Sequence, residues 1–218
     1  MIDVVSSANR HLYADEVEQM WRLRHQIYVH ERGWHDLAKA DGREIDQFDT
    51  DKAIYLLAIE GRSTVVGGTR LVSTAEPNIV SEVFHRLASV RGVPRSPRIY
   101  DWTRYFVVPH RRESHAISPV ASALMCAVQE FCLAEGIEQV QIMLETFWIP
   151  RFIEIGWNPQ PLGLPEMVAG EPVAAVLCDV GEEVLQRTRQ IRGVTGPALR
   201  ARGSWRRPGD ELPVLRAG

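Results

Sequence analysis

The stretch IYDWTRYFVV (residues 99–108), followed by SPVASALMCAVQEFCLAEG (118–136) and VQIML (140–144), decides the fold. The first segment is rich in aromatic and β-branched residues and ends at Pro109, which reads as a strand. The second has Ser118 as N-cap, Pro119 at its first helical position and Gly136 as its stop, with Val120, Ala121, Leu124, Ala127, Val128 and Phe131 on one apolar face. The third is short and apolar, as a buried strand is. Strand, helix and strand in this order form a crossover unit.

Working outward, 53–59 and 64–73 are β-type runs joined by Glu60-Gly61-Arg62, a hairpin. A short strand (2–6) and a helix (15–29) precede them, and 79–88 reads as a helix between the hairpin and the third run. Downstream, 148–155 is a short helix and 172–180 a late strand before a final helix. Antiparallel and crossover strands with helices between them predict an α/β fold, a single-domain sandwich around a mixed sheet. The polar segment 30–51 has no usable periodicity, and a loop of that length in a compact domain is usually functional or disordered. Neither a Rossmann fingerprint nor a Walker loop is found.

With 218 residues, 45% hydrophobic and 24% charged, the chain has the profile of an ordinary globular protein. Its apolar runs are too short and interrupted to cross a bilayer, and the first ten residues do not form a secretory signal, so a cytoplasmic location is expected. Cys126, Cys132 and Cys178 match no zinc or disulfide pattern and are expected to be reduced, buried thiols. The net charge of −3 hides an asymmetry: from Arg187 onward eight Arg face only Asp210 and Glu211. A domain over 1–195 with a basic tail over 196–218, poorly ordered or suited to an anionic partner, is the expectation. The acidic body lacks any recognition motif for nucleic acid.

The chemistry-bearing residues stand out against this background. Arg24 falls in an otherwise apolar stripe with Val17, Met20, Trp21, Ile27 and Tyr28, so its guanidinium needs a carboxylate or ligand anion unless its head reaches solvent. Glu44, Asp46 and Asp49 are interleaved with Ile45 and Phe48, which can anchor the segment to the body; a cationic ligand suits this cluster better than a metal, and a solvated loop is the plain competitor. In 99–108, strict alternation places Asp101, Thr103 and Tyr105 on one face and Tyr100, Trp102, Arg104 and Phe106 on the other. Gly67 and Gly68 ahead of Arg70 suggest a bulge or a close backbone approach to a ligand. His110-Arg111-Arg112 runs into the start of the 118 helix, a plausible phosphate site.

Arg24-x3-Tyr28, Trp34, Glu44-x-Asp46-x-Phe48-Asp49, Gly67-x2-Arg70, Phe84 and Asp101-x2-Arg104-Tyr-Phe, in this order, resemble the acyl-homoserine-lactone synthases, the LuxI-type autoinducer synthases. The resemblance spans roughly 10–165 and implies an acetyltransferase-like α/β/α fold. It implies synthesis of a quorum-sensing signal from S-adenosylmethionine and an acyl thioester as substrates, with no permanently bound cofactor or metal. Carried onto this chain, it implies that Arg24, Tyr28, Trp34, Asp46, Asp49 and Arg104 bind S-adenosylmethionine, and that Asp101, Arg104 and Arg70 serve catalysis. Tyr28 stands where the family usually has Phe, and Asp101 where it usually has Glu. The runs at 24–29, 41–46 and 144–151 are most similar to the branch that uses aryl or branched-chain acyl-coenzyme A, with acyl carrier protein the less expected donor.

For that donor, Arg111 and Arg112 are the expected coenzyme contacts. Phe147, Trp148 and Phe152, with Trp102 or Phe106, are the expected flat acyl wall, or simply core aromatics, and Thr103 is a further expected acyl contact. Two other readings remain open: an N-acyltransferase acting on another amine without lactonisation, and a non-catalytic ligand-binding module of the same fold.

Overall fold

A computed structural model of the chain describes residues 1–113 and 117–206. In chain order the elements are β1 (Ile2–Val5), α1 (Ala14–Arg24), β2 (Ile54–Glu60), β3 (Thr64–Ser73), α2 (Ile79–Glu82), β4 (Ile99–Val107) and α3 (Pro119–Ala134). They continue as β5 (Gln139–Glu145), α4 (Ile149–Glu154), β6 (Gln160–Pro161), β7 (Glu166–Val168), β8 (Glu171–Asp179), α5 (Glu182–Arg192) and β9 (Leu199–Arg200). The sheet order is β6-β8-β5-β4-β3-β2-β1-β9, with β7 also pairing β8. β4 and β5 are parallel and β1 to β4 antiparallel, the mixed sheet expected.

Period-two alternation sorts the core. Leu56, Ala58, Val66 and Leu71 face α3 and α5, while Tyr55, Leu57, Ile59, Val65 and Val72 face α1. Gly67 and Gly68 serve this packing: a Cβ on Gly67 would stand 3.0 Å from Val120, and one on Gly68 2.9 Å from Leu57. The close approach expected here is therefore to α3 and the sheet's own side chains. Bulges interrupt the register at Ala58/Ile59 and between Gly68 and Arg70.

β4 and β5 pair only from Ile99–Gln139 to Trp102–Ile142. β4 runs on to Val107 against β3, and β5 to Glu145 against β8, so the two strands part beyond Trp102. The gap lies beside the bulge, between the layers.

Several expectations are corrected. The first helix does not stay α-helical to residue 29; it widens into a π-helical segment, His25–Glu31. Segment 79–88 is one turn of α-helix and a separate 3-10 turn, His85–Ala88. Residues 196–206 pack on the body rather than trailing from it: β9 lies parallel to β1, and the Glu130 carboxylate accepts from the backbone N–H of Ala198 and Leu199 at 2.9 and 3.0 Å. Its basic residues neutralise the acidic body directly, Arg200 with Asp3, Arg202 with Glu16 and Arg206 with Glu135. The remainder of the expected tail, 207–218, lies outside the described residues. All three cysteines are free and buried, and burial pushes the Cys126 thiol up to about 11. Among the described residues no helix is long and apolar enough to cross a membrane.

Candidate active site

Three guanidiniums and three carboxylates from four parts of the chain converge under β3 and β4. Arg24, at the end of α1, donates from Nε to Glu44 at 2.5 Å and bidentately to Asp49 at 2.8 and 2.9 Å. Arg70, on β3, donates bidentately to Asp46 at 2.5 and 3.0 Å and lies 3.0 Å from Asp49. Arg104, on β4, closes the set on Glu44 at 2.9 Å and Asp46 at 2.8 Å. Tyr55 adds a hydroxyl donor to Asp49 at 2.9 Å. A charge stripped of water is tolerated only when it is paired and hydrogen-bonded, and each of these six is.

The set has a floor and a mouth. Side chains of Arg24, Glu44, Asp49 and Arg70 are at most 1% exposed, whereas Asp46 and Arg104 keep 11% and 9%. Burial alone would raise Asp49, but the guanidiniums of Arg24 and Arg70 outweigh it and hold the carboxyl well below the usual carboxylate range. The sequence explains why segment 44–49 folds here without secondary structure: Phe48 is buried beside Ile79 and Val80, and the Asp46 carboxylate caps the Phe48 N–H at 2.8 Å.

Arg104 reaches this cluster by breaking the alternation of β4. Its φ is +54°, a left-handed conformation that a residue bearing a side chain adopts at a cost. The bulge turns Arg104 and Phe106 to the face of Asp101 and Thr103, and sends Tyr105 to the face of Trp102, whose ring it meets edge-on at 5.7 Å. The two-face assignment from strict alternation is thus corrected from Arg104 onward. Non-glycine residues held at positive φ cluster at functional sites.

Around the mouth, Tyr28 and Trp34 stack at 5.3 Å with 6° between their planes, and Arg104 sits 5.7 Å over the Tyr28 ring. The Tyr28 hydroxyl, the group that Phe would lack, donates to the Tyr105 carbonyl at 2.9 Å and so ties the π-helical segment to the bulge. Asp101 lies on the same face, 2% exposed. Burial pushes its pKa up to about 6, against the Gln141 donor at 2.7 Å and the charges of Arg70 and Arg104.

The residues expected to meet the acyl donor are not all brought together. Trp102 packs with Phe152 and Trp157 at 6.0 and 5.2 Å on the α3 face, whereas Phe106 lies on the α1 face with Tyr28. Thr103 is committed to Arg70 Nε at 3.2 Å. Phe147 and Trp148 form an exposed pair, centroids 5.1 Å apart, just past β5. Arg111 pairs with Glu60 and Arg112 with Glu31, so both guanidiniums already have carboxylate partners. Of the two strand aromatics offered for that wall, the bulge leaves Trp102 on the face of Phe152 and turns Phe106 to the other.

Sequence reasoning placed Glu44 in the acidic cluster that suits a cationic ligand but not among the S-adenosylmethionine contacts implied by the resemblance, although it bridges Arg24 and Arg104 and is 1% exposed. The run of interleaved carboxylates was the available signal. Tyr55, Gln141 and Trp157 carried none, because a polar residue or an aromatic in a buried strand or turn looks like core.

Comparison with known proteins gives the family. The family model described as autoinducer synthase matches residues 8–188. The isovaleryl-homoserine lactone synthase of Bradyrhizobium diazoefficiens is 50% identical over 185 residues, covering 85% of this chain and 82% of that protein. The solved structure of a CoA-dependent acyl-homoserine lactone synthase, BjaI, with SAM and isopentyl-CoA, superposes with a TM-score of 0.87 at 46% identity over 94% of both chains. An N-acetyltransferase structure from Lactobacillus plantarum, 20% identical with a TM-score of 0.55 over 83% of this chain and 99% of that one, shares the fold alone. Charge network, bulged strand and overall match lead to one conclusion: the chain belongs to the autoinducer synthase family.

Proposed function

We propose that the chain makes an N-acyl-L-homoserine lactone from S-adenosylmethionine and a branched-chain acyl-coenzyme A, releasing methylthioadenosine. The observation that carries this reading is the six-charge cluster, buried at its floor and open at Asp46 and Arg104. S-adenosylmethionine presents a sulfonium, an ammonium and a carboxylate; the open corner offers a carboxylate and a guanidinium side by side, complementary to the amino-acid end. Tyr28 and Trp34 wall that corner.

For acylation the substrate amine loses a proton, and Asp101, held near neutrality by burial, is the base, directly or through a water. The amine nitrogen attacks the thioester carbonyl carbon, the C–S bond breaks, and coenzyme A leaves as the thiolate, which takes up the second proton that the nitrogen sheds as the amide forms. The parted ends of β4 and β5 suit the thioester, and backbone N–H groups at the bulge would serve the oxyanion. Trp102, Phe152 and Trp157 line that side as an apolar surface for a short branched chain. In lactonisation the methionyl carboxylate oxygen attacks the γ-carbon and the C–S bond of the sulfonium breaks. This ring closure requires a held conformer rather than a nucleophilic side chain, which fits three inert, buried thiols.

The donor assignment rests on likeness to the isovaleryl enzyme. Both substrates and reduced cysteines fit a cytoplasmic site of action. The test is purified protein incubated with S-adenosylmethionine and a panel of branched, straight and aryl acyl-coenzyme A esters, with carrier-protein thioester as control, products identified by mass. Turnover with the carrier protein alone would reject the donor; N-acylation without methylthioadenosine would reject lactonisation.

A further inference from the structure

Gln141, on β5, is completely buried beside Asp101, in register with it across the parallel pair. Its Nε2 donates to Asp101 Oδ1 at 2.7 Å and to Asn78 Oδ1 at 3.1 Å. The direction of this amide is settled by its neighbour. Asn78 is the N-cap of α2: its Oδ1 accepts from Ser81 N–H at 3.1 Å, its Nδ2 donates to the Glu76 carbonyl at 3.1 Å, and Ser81 Oγ accepts from its backbone N–H. The Asn78 oxygen must therefore face Gln141, and Gln141 must turn its nitrogen inward. Its own Oε1 is buried with no protein donor among the described residues. An amide that forgoes every protein donor for its oxygen while presenting its nitrogen to a carboxylate is not explained by packing.

We propose that Gln141 is the positioning residue for Asp101: donation from its Nε2, locked by the Asn78 cap, keeps the carboxylate ionised and fixed in direction so that it can take the proton of the attacking amine. The inference rests on Asp101 being the base. The groups around that carboxylate are the guanidinium of Arg70 from β3, the guanidinium of Arg104 from β4, the amide of Gln141 from β5 and the Ile79 N–H from α2. The two cations are shared with Glu44, Asp46 and Asp49, which leaves two neutral donors, the Ile79 backbone N–H and the Gln141 side chain, and of these Gln141 is the one a substitution removes. A hydrogen bond to the charged form favours that form, so its loss moves the carboxyl toward protonation.

The test is kcat/KM against pH for the wild type, Gln141→Met, Gln141→Glu and Asp101→Asn, with S-adenosylmethionine and isovaleryl-coenzyme A. The free substrate's amine titrates identically throughout, so any displacement belongs to the enzyme. Gln141→Met should move the acid limb up by about one pH unit, roughly a tenfold loss at the acid end that largely recovers at high pH. Gln141→Glu, nearly the same in volume, should move it at least as far, because it sets a carboxylate against a carboxylate; it also serves if the methionine variant does not fold. An equal loss at every pH, or an unmoved limb, overturns the proposal. If Asp101→Asn keeps the wild-type limb, the base assignment fails and the inference with it. If that limb disappears in Asp101→Asn yet stays put in both Gln141 variants, only the positioning role fails.

Discussion

The two faces of β4 solve opposite problems with the same strand. Toward α3 it presents Trp102 and, past the bulge, Tyr105, which join Phe152 and Trp157 in a dry aromatic cluster held by area and shape. Toward α1 it presents Asp101, Thr103 and Arg104, which join a network held by paired charge. An apolar cluster tolerates a lost contact by partial collapse, whereas a buried charge network does not, because each partner removed strands another charge away from water. The difference predicts where the molecule is brittle: on the face of the proposed site.

The largest expected effect follows from Arg24. Arg24→Ala should lower turnover sharply. With the side chain 1% exposed and holding both Glu44 and Asp49, its removal should also cost about 3–5 kcal/mol of stability. Denaturant unfolding measures this, and a wild-type midpoint would break the contrast between faces. Arg104→Ala comes next, with a different signature. At the mouth, its loss should lower turnover about a hundredfold through mispositioned substrate while costing less stability than Arg24→Ala. Arg104→Gly removes the same charge but relieves the positive φ, so it should be more stable than Arg104→Ala by about 1 kcal/mol. Equal stabilities would show that the bulge carries no strain.

Two carboxylates on this face should respond to pH with opposite sign. Asp49, held below its ordinary value, contributes stability that is present above the unfolded-state pKa and is lost as pH falls below about 4. Asp101, raised from 3.8 to about 6, does the reverse: its protonated form suits the fold, and the cost of ionising it grows between those values and is complete at pH 7. Asp101→Asn should therefore stabilise the protein by about 1–3 kcal/mol at pH 7, and by little at pH 4, while sharply lowering acylation to a residual rate. A variant destabilised at neutral pH would remove Asp101 from the role of strained base.

Much of this was legible from residues, and the limits have physical causes. Strand, helix and strand over 99–144 were readable because capping, periodicity and a terminating Gly agreed. The charged positions Arg24, Asp46, Asp49, Arg70 and Arg104 were readable because each is costly where the pattern puts it. The face of Arg104 was not, since a single bulge inverts every later side chain and leaves no mark in a period-two count. Gln141 was invisible for another reason: a lone amide in VQIML shows neither that Asp101 lies beside it across a parallel pair nor that Asn78 fixes its direction. The Pro-containing edge strand β6 and the two-residue β9 escaped because edge pairing so short has no pattern of its own.

The smallest effect sharpens the comparison from the apolar side. Phe147 and Trp148 are aromatic neighbours of the dry cluster in sequence but not in burial, at 61% and 36% exposed against 6% for Phe152. Phe152→Ala should cost about 3 kcal/mol, the low end for a core aromatic because its neighbours can collapse into part of the cavity, while Phe147→Ala and Trp148→Ala should each stay within about 0.5 kcal/mol of wild type. The exposed pair sits past the end of β5, where it has parted from β4, so any role lies in the donor rather than the fold. A raised KM for acyl-coenzyme A with an unchanged KM for S-adenosylmethionine would place the pair on the donor's path. Unchanged values for both would leave Trp102, Phe152 and Trp157 as the acyl surface and make the outer pair a solvent-facing continuation of the strand.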